Sequence, residues 1–169
     1  MVMFELDDEQ AVRERLDRLG VRKVLDTAHD DIVDLHLHPK DVTAAIVALD
    51  ITKPIGSWRW GGPAWTGAIP DHGDGGLSGL TVAAVDPATT ATRWGAVLDV
   101  TSDEHGALSL RNGQRLEFEQ VAEPSAEGIV GVMVDAPIDA PVVVCDVRFI
   151  PVNVTSRAEH DTTATLEAR

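Results

Sequence analysis

Val2-Met3-Phe4-Glu5-Leu6-Asp7-Asp8, running on through Glu9–Leu19 to Gly20, is the stretch that decides the fold. Val2 to Leu6 is short, apolar and mixed, which is a strand pattern, and Asp7 with Asp8 then offers the side-chain oxygens that cap a helix start. Within Asp8–Leu19 the residues Val12, Leu16 and Leu19 fall at i, i+4 and i+7, one apolar stripe of a helix. Acids gather at its start and Arg13, Arg15 and Arg18 follow, as the helix dipole favours. Gly20 supplies the stop. A strand therefore hands directly to a helix. Beyond it Val21–Thr27, Asp31–His38 and Ala44–Asp50 read as strands, with Pro39 and Lys40 in the turn between the last two. The expected order is β-α-β-β-β.

The same grammar returns at an offset of 79 residues, where Ala83-Ala84-Val85-Asp86 lines up with Phe4-Glu5-Leu6-Asp7. There Asp86 is the cap, Pro87 takes the first helical position, and Ala91, Trp94 and Leu98 form the buried stripe. Ala107–Leu110, Arg115–Val121, Gly128–Val134 and Val142–Val152 follow as strands, the second reached across an Asn112-Gly113 turn. The chain thus divides into a unit at 1–52, a Trp/Gly-rich linker at 53–77, a strand-rich second unit at 78–152 and a polar tail at 153–169. From Thr155 onward there is almost no large apolar residue to offset ordering entropy, so that end is expected to be frayed.

Composition excludes several functions. The 169 residues carry a net charge of −14, with acids outnumbering bases 12 to 6 in residues 1–52 and 11 to 4 in 78–152. No segment offers the basic footprint that nucleic acid or an anionic membrane requires. An acidic surface can attract a cationic ligand, but solubility alone explains it too. The start has neither the basic residues nor the apolar core of a secretory signal, and no apolar run approaches the roughly 20 residues of a membrane span, so a cytoplasmic protein is expected. The single cysteine, Cys145 in Val-Val-Val-Cys-Asp-Val, excludes an intrachain disulfide and reads as a buried strand thiol.

Three sets of residues invite chemistry. Asp34, His36 and His38 alternate along one expected strand and so share a face, a row that offers metal ligands. Their spacing of roughly 6.5–7 Å along a strand suits three bonds to one ion poorly, and a plain polar face is the simpler reading. Trp58, Trp60 and Trp65 place three of the four tryptophans in one Gly/Pro segment, where they either pin the linker to the core or line a ligand pocket. Asp71–Gly76 lacks the spacing of a calcium loop and precedes a strand, which leaves a flexible linker. No Gly-x-Ser-x-Gly elbow, P-loop or His-Glu-x-x-His is present.

Leu37-His38-Pro39-Lys40-Asp41, leading into Ala45-Ile46-Val47-Ala48-Leu49-Asp50 within paired βαβββ units, resembles the vicinal oxygen chelate (VOC) superfamily. This superfamily contains glyoxalase I, methylmalonyl-CoA epimerase, bleomycin-resistance proteins and extradiol dioxygenases. The likeness is nearest to epimerase-like members, in which a Leu-His-Pro-Lys-Asp turn precedes a Leu-Val-Glu-Leu strand. It covers residues 1–52 well and 78–121 moderately, with Gly128–Val152 similar to a further piece lacking its helix. The resemblance implies an α+β fold of βαβββ modules whose mixed sheet is cupped around a divalent ion, which chelates vicinal substrate oxygens and stabilises an enolate-like intermediate.

Carried over position by position, the family's first-strand His falls at Met1 and Gly79, and its last-strand Glu falls at Ala48. Gln120 alone keeps a ligand type, and one oxygen cannot hold a catalytic ion. The expectation is therefore a metal-free member that binds a small molecule, with Trp58, Trp60 and Trp65 flanking the ligand and no cofactor. The alternative is an isomerase, epimerase or lyase with Zn, Ni, Co or Mn at a relocated site built from Asp34, His36, His38 or Gln120. A third reading is an interaction domain without a small-molecule ligand. Because the first unit resembles the second module of a VOC pair, either a homodimer or an absent upstream module is expected to complete the cup.

Overall fold

Strand β1 (Val2–Glu5) turns Val2 and Phe4 inward and Met3 and Glu5 outward. This alternation sets the two faces of the first sheet in a computed structural model, which describes residues 1–68, 76–136 and 138–152. Asp8 closes the turn that follows, its carboxylate accepting from the Ala11 amide at 3.0 Å, and α1 (Glu9–Arg18) buries Val12 and Leu16. Gly20, at φ +65°, releases the chain into β2 (Lys23–Ala28), β3 (Ile32–Leu37) and β4 (Val47–Thr52). The strands lie in the order β1-β4-β3-β2, with β1 parallel to β4 and the other neighbours antiparallel.

The second sheet has six strands. Strand β5 (Gly76–Ala84) runs through the Asp86 cap into α2 (Pro87–Leu98), then come β6 (Leu108–Ser109), β7 (Arg115–Gln120), β8 (Gly128–Asp135), β9 (Val142–Val144) and β10 (Val147–Pro151). Their order is β6-β7-β5-β8-β10-β9. One rule recurs three times along the chain. A first strand pairs in parallel with the last strand of its unit, which pairs antiparallel with the strand before it: β1-β4-β3, β5-β7-β6 and β8-β10-β9. The third instance, Gly128–Pro151, has no helix between its strands. The two later first strands, β5 and β8, pair antiparallel with each other, whereas among the described residues β1 has no strand partner on its other edge.

One core joins the units. Val2, Phe4, Leu16, Leu35 and Leu49 of the first meet Val82, Trp94, Leu108 and Leu116 of the second. Trp94, 1% exposed, stands edge-on to both Phe4 and Phe118, with ring centroids 6.0 and 5.8 Å away, and donates its indole N–H to the Thr43 carbonyl at 3.1 Å. Its neighbour Arg93 donates to the Asp41 carbonyl at 2.8 Å and to that of Leu19 at 3.3 Å. The chain is an α+β protein whose described residues form two α-helices and two mixed sheets, and no helix among them is long and apolar enough to cross a membrane.

Three expectations are corrected. The α1 cap is Asp8, so the units superpose at an offset of 78 residues, Asp8 on Asp86, with Phe4 and Val82 both facing the core. Val142–Val152 is a hairpin, because Cys145 and Asp146 both adopt positive φ and form a tight turn. That turn exposes Cys145, which is therefore no buried thiol. The segment after β4 carries short 3₁₀ turns at Arg59–Gly61 and Trp65–Ala68. Asp71–Gly75 and the tail from residue 153 lie outside the described residues.

The close approach of β5 to its neighbours gives a direct test. A Cβ on Gly79 would overlap the Arg115 carbonyl oxygen and stand 3.0 Å from the Met133 sulfur. Backbone does not yield as a flexible side chain does, so Gly79→Ala is expected to cost about 2–3 kcal/mol in a urea melt. Gly76→Ala, in the same strand with open space at its Cβ, is expected to change stability by less than about 0.5 kcal/mol.

Candidate functional site

The outward face of the first sheet holds two aspartates where a strand normally places small or apolar groups. Asp34 on β3 and Asp50 on β4 are direct cross-strand partners, and they are 4% and 5% exposed. Both Oδ1 atoms are buried without a hydrogen-bond partner among the described residues. His36, two residues along β3, brings Nε2 to 3.1 Å from Asp34 Oδ1, but off the line of a hydrogen bond. Burial pushes the Asp50 carboxyl up to about 6; the hydrogen bond from Trp60 works against this, and the neighbouring Asp34 adds to it. A protonated Asp50 can donate to Asp34. A buried carboxyl that keeps its proton this high is a common mark of a functional group.

The cover over this pair comes from the tryptophan segment. Trp60 donates its indole N–H to Asp50 Oδ2 at 3.1 Å, and its ring lies edge-on to His29 with centroids 6.4 Å apart. Beside it, Glu5 on β1 accepts from the Thr52 hydroxyl and from the Gly56 amide, which ties the start of the segment to the sheet. Arg59 pairs with Asp31 at 2.6 Å and holds the segment at the β2–β3 turn. Trp60 remains 44% exposed, so it is both the lid on Asp50 and a surface that a ligand can reach.

The expected site residues separate in space. Trp60 reaches Asp50, whereas Trp58 and Trp65 pack against Gly61, whose added Cβ would lie 2.9 Å from the first and 2.8 Å from the second. The row Asp34-x-His36-x-His38 breaks at its end, because β3 stops at Leu37. His38 instead caps the following turn, its Nδ1 accepting from the Lys40 amide at 3.1 Å, next to an Arg22–Asp41 ion pair of 2.7 Å. Arg22 holds the Asp41 carboxyl well below the usual carboxylate range through its side-chain and backbone hydrogen bonds. Gln120 is on the other sheet, and alternation along β7 puts it on the side of Leu116 and Phe118, opposite Glu117 and Glu119. Sequence reasoning missed Asp50. Its one signal was an acid inside the apolar run Ile46–Ile51, a placement strands disfavour.

The outward face of the second sheet differs in kind, since its charges are already paired. Arg148 meets Glu119 at 2.6 Å, and Arg115 meets Glu117 at 3.2 Å and Asp103 at 2.8 Å. Two clefts lie elsewhere. One of about 620 Å³ sits at the α1 N-terminus beside Arg15, Lys53, Asp99 and Arg111, and one of about 420 Å³ runs along β1 beside Leu77, Val100 and Leu110. The charges of the first are largely matched, with Arg15 3.3 Å from Asp99 and Arg111 3.4 Å from Asp7.

Neither a family model nor a curated protein matches the chain. Among solved structures it is similar to the crystal structure of a hypothetical protein from Staphylococcus aureus, with a TM-score of 0.60 and 15% sequence identity. The match covers 89% of this chain and 64% of that one, so this chain spans less than two thirds of that protein's length. At that identity the likeness is one of fold, and the α+β architecture is what it supports.

Proposed function

We propose that the protein is a metal-free, VOC-type small-molecule-binding protein whose ligand sits on the outward face of the first sheet, against Trp60 and the Asp34–Asp50 pair. The observation that carries this reading is the aspartate pair itself. Two buried oxygens without partners cost stability, and a fold retains such a cost where a ligand can repay it. The βαβββ order with β1 parallel to β4, and its partial recurrence, supports the family assignment. At the family's ligand positions Ala48 is fully buried in β4 and Gly79 lies in β5, and neither side chain has a donor atom.

The relocated-metal alternative draws on the 3.1 Å contact of His36 with Asp34. It lacks the further ligands it needs, because His38 is committed to its turn and Gln120 lies on the other sheet. Among the described residues no group of three or more His, Cys, Asp or Glu side chains is placed to hold an ion.

Elemental analysis of protein purified without chelator, with titration of Zn, Ni, Co and Mn, tests this. The expected result is well under one equivalent of any metal and no metal-induced rise in melting temperature. In parallel, a set of small organic fragments is expected to change tryptophan emission in the wild type and not in Trp60→Phe. A stoichiometric metal lost in His36→Ala would establish the enzyme reading instead.

A further inference from the structure

Resting on the outward face as a binding seat, the geometry points to a ligand class: we propose that the seat recognises an organic ammonium group, which docks between Asp34 and Asp50 beneath an aromatic wall formed by Trp60 and His29. Three observations converge. With both carboxyls ionised, the two Oδ1 atoms are acceptors without donors among the described residues, each on a side chain more than nine-tenths buried, and they belong to directly opposed residues of adjacent strands. Among the described residues no arginine or lysine is paired with either. Arg59, next to Trp60 in the chain, is committed to Asp31 at 2.6 Å. Among the described residues the titratable nitrogen against the pair is that of His36, 3.1 Å from Asp34 Oδ1, with His29 further out beside Trp60. The cover is an indole, and an ammonium held against an aromatic face gains cation–π attraction that grows as water is excluded.

An ammonium suits this seat better than a bare metal ion. Its three N–H donors can serve both Oδ1 acceptors and still leave one for Asp50 Oδ2, which now accepts from Trp60. Entry comes from the Trp60 side, since that ring is exposed and its single hydrogen bond to Asp50 is the contact a ligand would replace. The net charge of −14 adds attraction at long range without selecting this seat, whereas the unpaired oxygens select it.

Benzylamine, charged at pH 7.5, and its neutral counterpart benzyl alcohol separate the possibilities. Binding to the full chain is followed by tryptophan emission and by thermal shift, in the wild type, Asp34→Asn, Asp50→Asn and Trp60→Phe. The expected result is that benzylamine binds at least tenfold tighter than benzyl alcohol, that each asparagine variant removes most of that preference, and that Trp60→Phe abolishes the emission change. Asparagine is close in shape to aspartate, and the same melts report whether each variant is folded. Equal binding of the two compounds with a Trp60-dependent signal would overturn the ammonium inference and leave the seat standing. An amine preference unchanged in both asparagine variants would overturn it as well, by placing the cation elsewhere. Absence of any Trp60-dependent signal from either compound would overturn the seat together with its ligand class.

Discussion

Trp94→Ala is expected to lower the stability of the protein by about 4 kcal/mol, the cost of emptying a large, fully packed aromatic site. The reason is its position. Trp94 belongs to α2 of the second unit, yet one of its edge-on ring partners is Phe4 of β1, and its indole N–H goes to Thr43 in the first unit. Removing it leaves a cavity at the junction of the units and an acceptor without its donor. For a chain of this size the melting temperature should fall by roughly 10 °C. Trp94→Phe, which keeps an aromatic edge and loses only the N–H and part of the volume, should lose less than half as much. If Trp94→Ala cost under about 1 kcal/mol, the shared core would be wrong and the two units would be stable separately.

Asp50→Asn is expected to act in the opposite direction, stabilising the protein at pH 7.5 and leaving it nearly unchanged at pH 4. Burial lifts the folded carboxyl to about 6, above the ordinary 3.8 of the unfolded chain, so folding holds this proton more tightly than unfolding does. The stability contributed by that proton is fully present below about pH 4 and is lost as the pH rises through 6. At 1.36 kcal/mol for each tenfold change in proton affinity, the loss is on the order of 2–3 kcal/mol. Asparagine keeps an oxygen for the Trp60 indole, offers an N–H to Asp34, and carries no charge at any pH. Urea melts at pH 4, 6 and 7.5 should therefore show a wild-type decline that the variant lacks, and a variant about 2 kcal/mol more stable at pH 7.5. A variant less stable than wild type at pH 7.5 would mean that the Asp50 charge has a cationic partner in the fold.

The elements that could be read directly from residues were those set by neighbours in sequence. The Asp8 and Asp86 caps, Pro87 at the start of α2 and the left-handed Gly20 fix both helices within a residue or two, because capping and backbone strain act over one turn. Alternation along a strand likewise put Asp34 and His36 on one face. What escaped was register. Nothing in the order of residues says that Asp34 lies opposite Asp50, because that depends on how β3 and β4 align across a turn containing Ala44 at φ +72°. The placement of Trp60 over Asp50 is equally non-local, for it depends on how the segment after β4 folds back, tied by Glu5 at Gly56 and by Asp31 at Arg59. His38 shows the same limit in a smaller way. The strand period carried it onto the face with His36, and the turn that begins one residue earlier removed it. The antiparallel junction of β5 with β8, which builds the second sheet from one complete arm and one without a helix, has no local signal at all.

Where a ligand settles on the protein is shown most directly by a footprint on its backbone amides and indole N–H groups. In ¹H–¹⁵N correlation spectra of the full chain titrated with benzylamine, the largest shifts are expected at the Trp60 indole N–H and at the amides of Asp34, His36 and Asp50. Shifts centred instead on Gln10, Arg15 and Arg111, along the cleft of about 620 Å³, with the Trp60 indole unmoved, would contradict it.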